Sequence, residues 1–147
     1  MPNLLIVDDE QSFRQLLTLI FEGEGHNLRT ASNGREALEL LAEEPADLII
    51  SDVMMPDMDG IEMLRELRST QPDTGIIFMT AYASVDSARE AFKLGADDFI
   101  QKPFDVEELK LIVKKTLEKQ ELIDENRAFK RAQRERGSVS NIIGRSA

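Results

Sequence analysis

Short apolar runs and longer amphipathic stretches alternate along this chain, and that alternation restricts its fold more than any other feature. Most of the runs are apolar at nearly every position, so we expect strands that are buried on both faces, as in a parallel sheet. The predicted strands are Leu4–Val7, Asn27–Ala31, Leu48–Ser51, Ile76–Met79 and Phe99–Ile100.

The stretches between these runs have apolar residues at helical spacing and typical boundary residues, such as Ser84 before the fourth helix and Gly95 after it. Strict alternation of strands and helices predicts an α/β fold, a doubly wound, flavodoxin-like five-stranded sheet with the order 2-1-3-4-5. The predicted inward-facing residues are Phe13, Leu16, Leu17, Ile20, Ala37, Leu38, Leu41, Ile61, Leu64, Leu67, Ala88, Ala91 and Phe92.

A fifth helix is predicted to begin near Asp105, and its pattern continues well beyond the length that a sheet crossover needs. Since neither glycine nor proline interrupts it before Gly137, we predict a first domain at 1–120, a helical linker at 121–140 and a further segment at 141–147. An apolar stripe near heptad spacing favours a homodimer through this helix and the linker. The stripe consists of Leu109, Ile112, Thr116 and Ile123.

Composition excludes several classes of function. The chain has no cysteine, so disulfides, thiol nucleophiles and thiolate metal sites are excluded. Its net charge of −10 argues against nucleic-acid binding, and a basic run at 127–136 is interpreted as a solvated linker face. The first apolar run is too short for a signal peptide or membrane span, so we expect a cytoplasmic protein.

Polar residues follow four of the predicted strands, at the edge of the sheet where α/β proteins form their sites. Three carboxylates close together would repel by about 4 kcal/mol per pair at ~4 Å and an effective dielectric of ~20. Such a cluster takes up protons or binds a cation, and oxygen ligands at an open rim favour Mg²⁺. The residues are Asp8, Asp9, Asp52, Thr80 and Lys102.

Mg²⁺ beside a carboxylate, a hydroxyl and an ammonium predicts phosphoryl transfer, with Asp52 as the acceptor that forms an aspartyl phosphate. Thr80 and Lys102 would bind the phosphoryl oxygens. Each residue alone could instead be a helix cap, a turn residue or a surface lysine. The conjunction of all of them at one edge favours the phosphoryl-transfer interpretation.

Four motifs in this order closely resemble the receiver domains of two-component response regulators, over about residues 3–120. They are Val7-Asp8-Asp9-Glu10, the segment from Ser51 to Gly60, Met79-Thr80-Ala81 and Lys102-Pro103-Phe104. The resemblance implies a CheY-like fold and a sensor histidine kinase as the phosphoryl donor.

In that family the counterpart of Asp9, the acceptor Asp52 and the backbone carbonyl of Met54 bind Mg²⁺, and Asp8 acts through a metal-bound water. The resemblance also implies a cis bond before Pro103. It further implies that Thr80 is coupled to the aromatic residue at position 99. Phe99 lacks the hydroxyl that many relatives have there, so either a packing change or an ordinary core role is open.

The stretch from Met79 to Ala88 and the segment from Gly95 to Phe99 resemble receivers of nitrogen-regulation-type, sigma-54-dependent activators. Residues 142–146 are similar to the entry of their AAA+ ATPase domain, so downstream AAA+ and DNA-binding domains are implied. No phosphate-binding loop motif occurs, so we expect no ATPase activity and no enzyme beyond Mg²⁺-dependent self-phosphorylation and slow self-dephosphorylation.

Two alternatives remain. A haloacid-dehalogenase-type phosphatase uses similar groups, but its nucleophile follows the first strand. A stand-alone receiver would act by protein docking alone. Bulky Met54 and Tyr82 beside the acceptor predict a phosphoryl lifetime of minutes or longer. The cognate kinase, the signal, the target genes and the sign of any dimer response are not encoded in recognisable motifs.

Overall fold

The fold was analysed in a computed structural model, which describes residues 2–123. The elements are β1 (Asn3–Val7), α1 (Gln11–Glu22), β2 (Asn27–Ala31), α2 (Gly34–Glu43), β3 (Leu48–Ser51), α3 (Gly60–Arg68), β4 (Gly75–Thr80), α4 (Val85–Lys93) and β5 (Asp98–Gln101). A further helix, α5, begins at residue 106 and continues to residue 123.

All four strand pairings are parallel, and the sheet has the order β2-β1-β3-β4-β5. The predicted fold class and strand order are confirmed. The three inner strands are buried throughout or nearly so, because helices cover both faces of the sheet. The edge strand β2 is buried only at Ala31.

Two apolar layers lie on opposite faces of the sheet. One joins Phe21 of α1 and Val113 of α5 to Ile6 and Ile50 of the central strands. The other packs α2, α3 and α4 against alternate residues of the same strands, including Ile49. Alternate side chains of one strand point to opposite faces, which is why neighbours such as Ile49 and Ile50 enter different layers.

Two predicted core positions are wrong, because the helices present them to solvent. Helical spacing predicts Phe92 on the inner face of α4, but this side chain is 50% exposed, and Ala91 is the only buried residue of that helix. Leu16 of α1 is 44% exposed, whereas its neighbour Leu17 is fully buried. Helical spacing identifies a stripe, but the edges of the stripe depend on how far the sheet extends beneath it.

The predicted start of α5 matches the structure, since Asp105 Oδ1 accepts a hydrogen bond of 3.0 Å from the Glu108 amide. The predicted dimer stripe needs correction. Leu109 is 1% exposed within the core, and Thr116 is 7% exposed with its hydroxyl donating to the Ile112 carbonyl. Both side chains serve the fold of this domain, because a single helix packed on a sheet uses its apolar stripe there.

Ile112 also packs partly against the core. The exposed apolar residues of this helix are Val106, Leu111 and Leu122. The chain divides into two units, Met1–Leu117 and Glu118–Ala147. Ile123, the last residue of the predicted stripe, belongs to the second unit and is partly exposed.

The proposed linker beyond residue 123 and the segment at 141–147 lie outside the described residues, so these domain boundaries remain predictions. Within residues 2–123, no helix is both long and apolar enough to cross a bilayer.

Candidate functional site

The carboxyl ends of the inner strands and of β5 bring the predicted polar residues to one edge of the sheet. Val7 pairs with Ser51, so the aspartates that follow these residues lie on adjacent strands. The Asp52 amide donates to the Val7 carbonyl at 2.9 Å. On the other side, the Lys102 amide donates to the Thr80 carbonyl at 2.8 Å. Parallel pairing therefore holds all four strand ends level.

Three carboxylates meet at this edge. One oxygen from each of Asp8, Asp9 and Asp52 lies within 4.8 Å of the others. Asp8 is 1% exposed and Asp52 is 7% exposed, whereas Asp9 is exposed. The cluster therefore has two buried members on the sheet and one member at an open rim.

Lys102 lies between the two buried carboxylates. Its Nζ is 3.0 Å from Asp8 Oδ2 and 3.0 Å from Asp52 Oδ2. Burial alone would lower the pKa of Lys102, but its hydrogen bonds and charge interactions with Asp8 and Asp52 outweigh burial and raise the pKa. The ammonium is therefore charged in the folded protein at neutral pH.

The second oxygen of each buried carboxylate is held by the backbone. Asp8 Oδ1 accepts from the Glu10 amide at 2.9 Å, and Asp52 Oδ1 accepts from the Met54 amide at 3.1 Å. These backbone donors fix the orientation of the two carboxylates. Asp52 thus has one oxygen fixed by its own loop and one facing the lysine.

The charges of the cluster leave room for a divalent cation. Three carboxylates and one ammonium sum to −2 when all are ionised (−3 + 1). A dense set of carboxylate oxygens with no nitrogen or sulfur ligand suits a hard cation such as Mg²⁺. Met54 is exposed in the adjoining loop, which leaves its proposed carbonyl contact as a prediction.

Thr80 ends β4 and is fully buried. Its Oγ1 accepts a hydrogen bond of 3.2 Å from the Tyr82 amide, so the hydroxyl proton can be donated elsewhere. Phe99 is partly buried, and its ring lies 6.2 Å from that of Phe78 at an angle of 56°. Phe99 therefore lies on the face of the sheet that α2, α3 and α4 cover, against the core residue Phe78.

The loop from Asp52 to α3 is shaped by two unusual positions. A Cβ added at Gly60 would lie 2.3 Å from the Asp52 carbonyl oxygen and 2.9 Å from the Phe78 ring, so only glycine fits. Asp57 adopts a left-handed conformation with φ 70°. The start of α3 therefore packs directly on the backbone of Asp52.

Two neighbours of the site were not singled out by the sequence motifs. Phe13, predicted only as a core residue, places its ring centroid 3.9 Å from Lys102 Nζ and stacks edge-on against Phe104 at 5.7 Å. A cation over an aromatic face is attracted by its quadrupole. Arg14 Nη1 donates to the Asp8 carbonyl at 2.6 Å. Only their position in the first turn of the helix after Asp9 could have indicated both contacts.

The remaining predicted positions are the cis proline and the residues of the predicted dimer stripe. The Lys102–Pro103 peptide bond is cis. Leu109, Ile112 and Thr116 lie on α5 and not at this edge, and Ile123 belongs to the second unit. The structure thus brings together Asp8, Asp9, Asp52 and Lys102 by direct geometry, with Thr80 at the end of the neighbouring strand.

A comparison with protein families gives one match that spans most of the chain. The model described as the response regulator receiver domain matches residues 4–114.

Two curated relatives differ greatly in length. The regulatory protein AtoC of Escherichia coli K12 is 45% identical over 129 residues, which are 88% of this chain and 28% of AtoC. Sporulation initiation phosphotransferase F of Bacillus subtilis is 40% identical over 114 residues, which are 78% of this chain and 92% of that protein. The chain therefore spans less than a third of the first relative and nearly all of the second.

Solved structures give the same fold. The beryllofluoride-activated NtrC4 receiver domain dimer superposes with a TM-score of 0.77 and 39% identity, covering 82% of this chain and 99% of that chain.

Proposed function

Because the chain belongs to the response regulator receiver family, we propose that it is a phosphorylation switch whose acceptor is Asp52. The observation that supports this most strongly is the position of Lys102 between Asp8 and Asp52, 3.0 Å from each. That arrangement makes one Asp52 oxygen a positioned nucleophile beside a fixed positive charge.

We propose that the donor is a phosphohistidine of a sensor histidine kinase. In the transfer, an Asp52 oxygen forms a bond to phosphorus while the bond between phosphorus and the histidine nitrogen breaks. The departing histidine nitrogen takes a proton from water, so the products are an aspartyl phosphate and a neutral histidine. Asp52 Oδ1 is already bonded to the Met54 amide, so Oδ2 is the attacking atom. Lys102 then exchanges its contact with Oδ2 for one with a phosphoryl oxygen.

Thr80 is the second residue that we expect to bind the phosphoryl group. Its oxygen already accepts a bond from the Tyr82 amide, which directs the hydroxyl proton away from that amide. Moving this hydroxyl toward a phosphoryl oxygen would pull on β4 and on the exposed residues after it. This movement is the event that we propose couples the site to α4 and to Phe99.

The residues that would hold Mg²⁺ are Asp8, Asp9 and Asp52, together with the carbonyl of Met54. When bound, the cation supplies positive charge to the phosphoryl oxygens in the transfer. Asp9 is the exposed member of the set and gives the cation its entry side, while the buried Asp8 and Asp52 fix its position.

The test of the acceptor uses a small phosphoramidate donor, excess Mg²⁺ and intact-mass detection. Asp52→Asn should abolish labelling, because the amide cannot form an acyl phosphate. Asp57→Asn is the matched control, since Asp57 is an exposed carboxylate of the same loop and asparagine tolerates its left-handed backbone. Labelling of the Asp52→Asn variant at the wild-type level would overturn the proposal.

The relatives include sigma-54 activators, so the narrower resemblance is confirmed over the receiver part. We propose that the phosphorylated domain controls an AAA+ ATPase and a DNA-binding output in a longer protein, in the cytoplasm, without binding nucleic acid itself. The stand-alone alternative is supported by the 92% coverage of sporulation initiation phosphotransferase F. Sequencing the gene beyond residue 147 distinguishes the two.

We also propose a homodimer through the exposed face of α5, where Val106 and Leu111 are open to solvent. The NtrC4 receiver is described as a dimer when activated by beryllofluoride, which supports testing this state. Sedimentation with and without beryllofluoride and Mg²⁺ should show a dimer in one state. Leu111→Glu should abolish it, whereas Leu16→Glu, at a similarly exposed leucine of α1, should not. A monomer in both states at high micromolar concentration would exclude the dimer.

A further inference from the structure

An open groove with a volume of about 790 Å³ lies between α1, β2 and α2, and its lining residue Arg14 also donates to the Asp8 carbonyl at the acidic edge. Its lining includes Arg14 and Arg29 but no carboxylate. The chain has a net charge of −10, whereas this groove is lined by two cations and no anion, so its local charge is positive. Leu19 and Leu28 add apolar surface to the same groove.

The strand beside this groove has an open edge. β2 pairs only with β1, and the bonds from the Asn27 amide to the Pro2 carbonyl and from the Asp8 amide to the Ala31 carbonyl set the register. In that register, Leu28 and Thr30 direct their N–H and C=O groups away from β1. No bond to these four groups is recorded in the described part of the chain. They form a short template for a further strand.

The two arginines are held in place without being neutralised. Arg14 Nη1 donates to the Asp8 carbonyl, and Arg29 donates to the carbonyls of Leu40 and Glu44 at 3.1 and 2.8 Å. Among residues 2–123, neither arginine forms an ion pair. Each guanidinium has five donors, so hydrogens remain for an incoming carboxylate.

We propose that this groove binds an extended peptide segment of a partner protein, which adds to β2 as a sixth strand and carries carboxylates at two neighbouring positions. Its backbone would bond to Leu28 and Thr30, as in other cases of strand addition. Successive side chains of a strand point to opposite faces, so neighbouring acidic residues reach Arg14 on the α1 side and Arg29 on the α2 side. The strongly negative chain repels a long polyanion, which favours a short segment with few carboxylates over nucleic acid.

The experiment titrates the ¹⁵N-labelled 147-residue chain with the peptide acetyl-Val-Val-Glu-Glu-Val-amide, and with the same peptide carrying lysine in place of both glutamates. The acidic peptide should shift the amides of residues 28 and 30 and slow their hydrogen exchange. The lysine peptide should not. Asp52→Asn should bind the acidic peptide as the wild type does, because the groove excludes the acceptor.

Matched variants at Gln15, an exposed residue of the groove, test the charge argument without removing a structural contact. Gln15→Glu should weaken binding about fivefold, and Gln15→Lys should strengthen it by a similar factor. Equal binding by both variants, equal binding of the two peptides, or shifts that avoid β2 would overturn the proposal. Stronger shifts of the same amides by a single-stranded oligonucleotide would also overturn it.

Discussion

Helices α3 and α4 have the same length, nine residues, and each begins with a side-chain cap, from Asp59 and Ser84 respectively. They nevertheless differ sharply in burial. Five residues of α3 are buried, whereas α4 buries only Ala91. The buried residues of α3 are Gly60, Ile61, Met63, Leu64 and Leu67.

The difference divides the surroundings of the site into two halves. We call Asp52, the loop after it and α3 the fixed half, and α4 with the loop before it the movable half. α3 begins against the Asp52 backbone, so the acceptor and this helix form one rigid body. The C-terminal end of α4 is fastened, because Arg68 donates to the carbonyls of Leu94 and Gly95 at 2.7 and 3.2 Å. Its N-terminal end begins at an exposed Val85. Segments with few buried contacts open at the lowest free energy, so we expect α4 to move more readily than α3.

The largest expected effect compares one buried and one exposed apolar residue. Leu64→Ala in α3 should lower the free energy of unfolding by about 2–5 kcal/mol, because it leaves a cavity in the core. Phe92→Ala in α4 should cost about 1 kcal/mol or less, because half of that side chain is exposed. Urea denaturation measures both. Equal losses would show that α4 is packed as firmly as α3.

A pair of glycine substitutions tests the link between α3 and the acceptor. Gly60→Ala should cost about 3 kcal/mol and reduce phosphorylation, because its Cβ would collide with the Asp52 carbonyl. Gly95→Ala should cost about 1–2 kcal/mol through its positive φ of 87° and leave phosphorylation intact. If Gly60→Ala is phosphorylated at the wild-type rate, the acceptor does not depend on the position of α3.

The lifetime of the phosphoryl group compares one residue from each half at the rim of the site. Met54 belongs to the fixed half and Tyr82 to the movable half. Both side chains are exposed and bulky. Met54→Ala and Tyr82→Ala should each shorten the lifetime by about threefold to tenfold, which is at most about 1.4 kcal/mol of barrier. The loss of acid-labile phosphate over time measures it. A wild-type half-life of seconds would contradict the predicted shielding.

The smallest expected effect comes from His26, which lies at the opposite edge of the sheet. It should change the stability of the whole domain and not of one half. Burial lowers the pKa of His26, partly offset by Glu24, and its Nδ1 is buried without a partner among the described residues. The unfolded chain therefore binds this proton more readily, so stability is lost as the pH falls below about 6.5.

The test compares wild type with His26→Gln by urea denaturation between pH 7.5 and pH 5, at about half-unit steps. The wild type should lose more stability than the variant over this range. Parallel curves for the two proteins would show that His26 titrates alike in the folded and unfolded states.

The strands could be predicted because they depend on the local apolar pattern. The acidic edge could be predicted because strict alternation of strands and helices permits few sheet topologies. A buried parallel strand must be apolar, as Leu48–Ser51 is, and parallel strands must end together. Asp8, Asp9, Asp52 and Lys102 follow from those two facts. The phosphoryl chemistry and the metal ligands remain predictions, since they require partners that the fold alone does not specify.

The errors arose where burial depends on neighbours that are distant in sequence. Leu109 and Thr116 have the spacing of a dimer stripe, yet both side chains are buried within the domain itself. Phe92 has the spacing of a core residue, yet half of its side chain is exposed. Phe13 was recognised as apolar, but its contact with Lys102 depends on a separation of 89 positions (102 − 13) that periodicity cannot register.

Because Gly60 packs against the Asp52 backbone, α3 can serve as a fixed reference for measuring the movement of α4. A spectroscopic label on α3 stays fixed relative to the acceptor, so any change in its distance to a label on α4 belongs to α4. The chain has no cysteine, so Glu66→Cys and Arg89→Cys, both at exposed positions, would carry the only two labels. The distance between the two labels therefore reports the position of α4 relative to the acceptor.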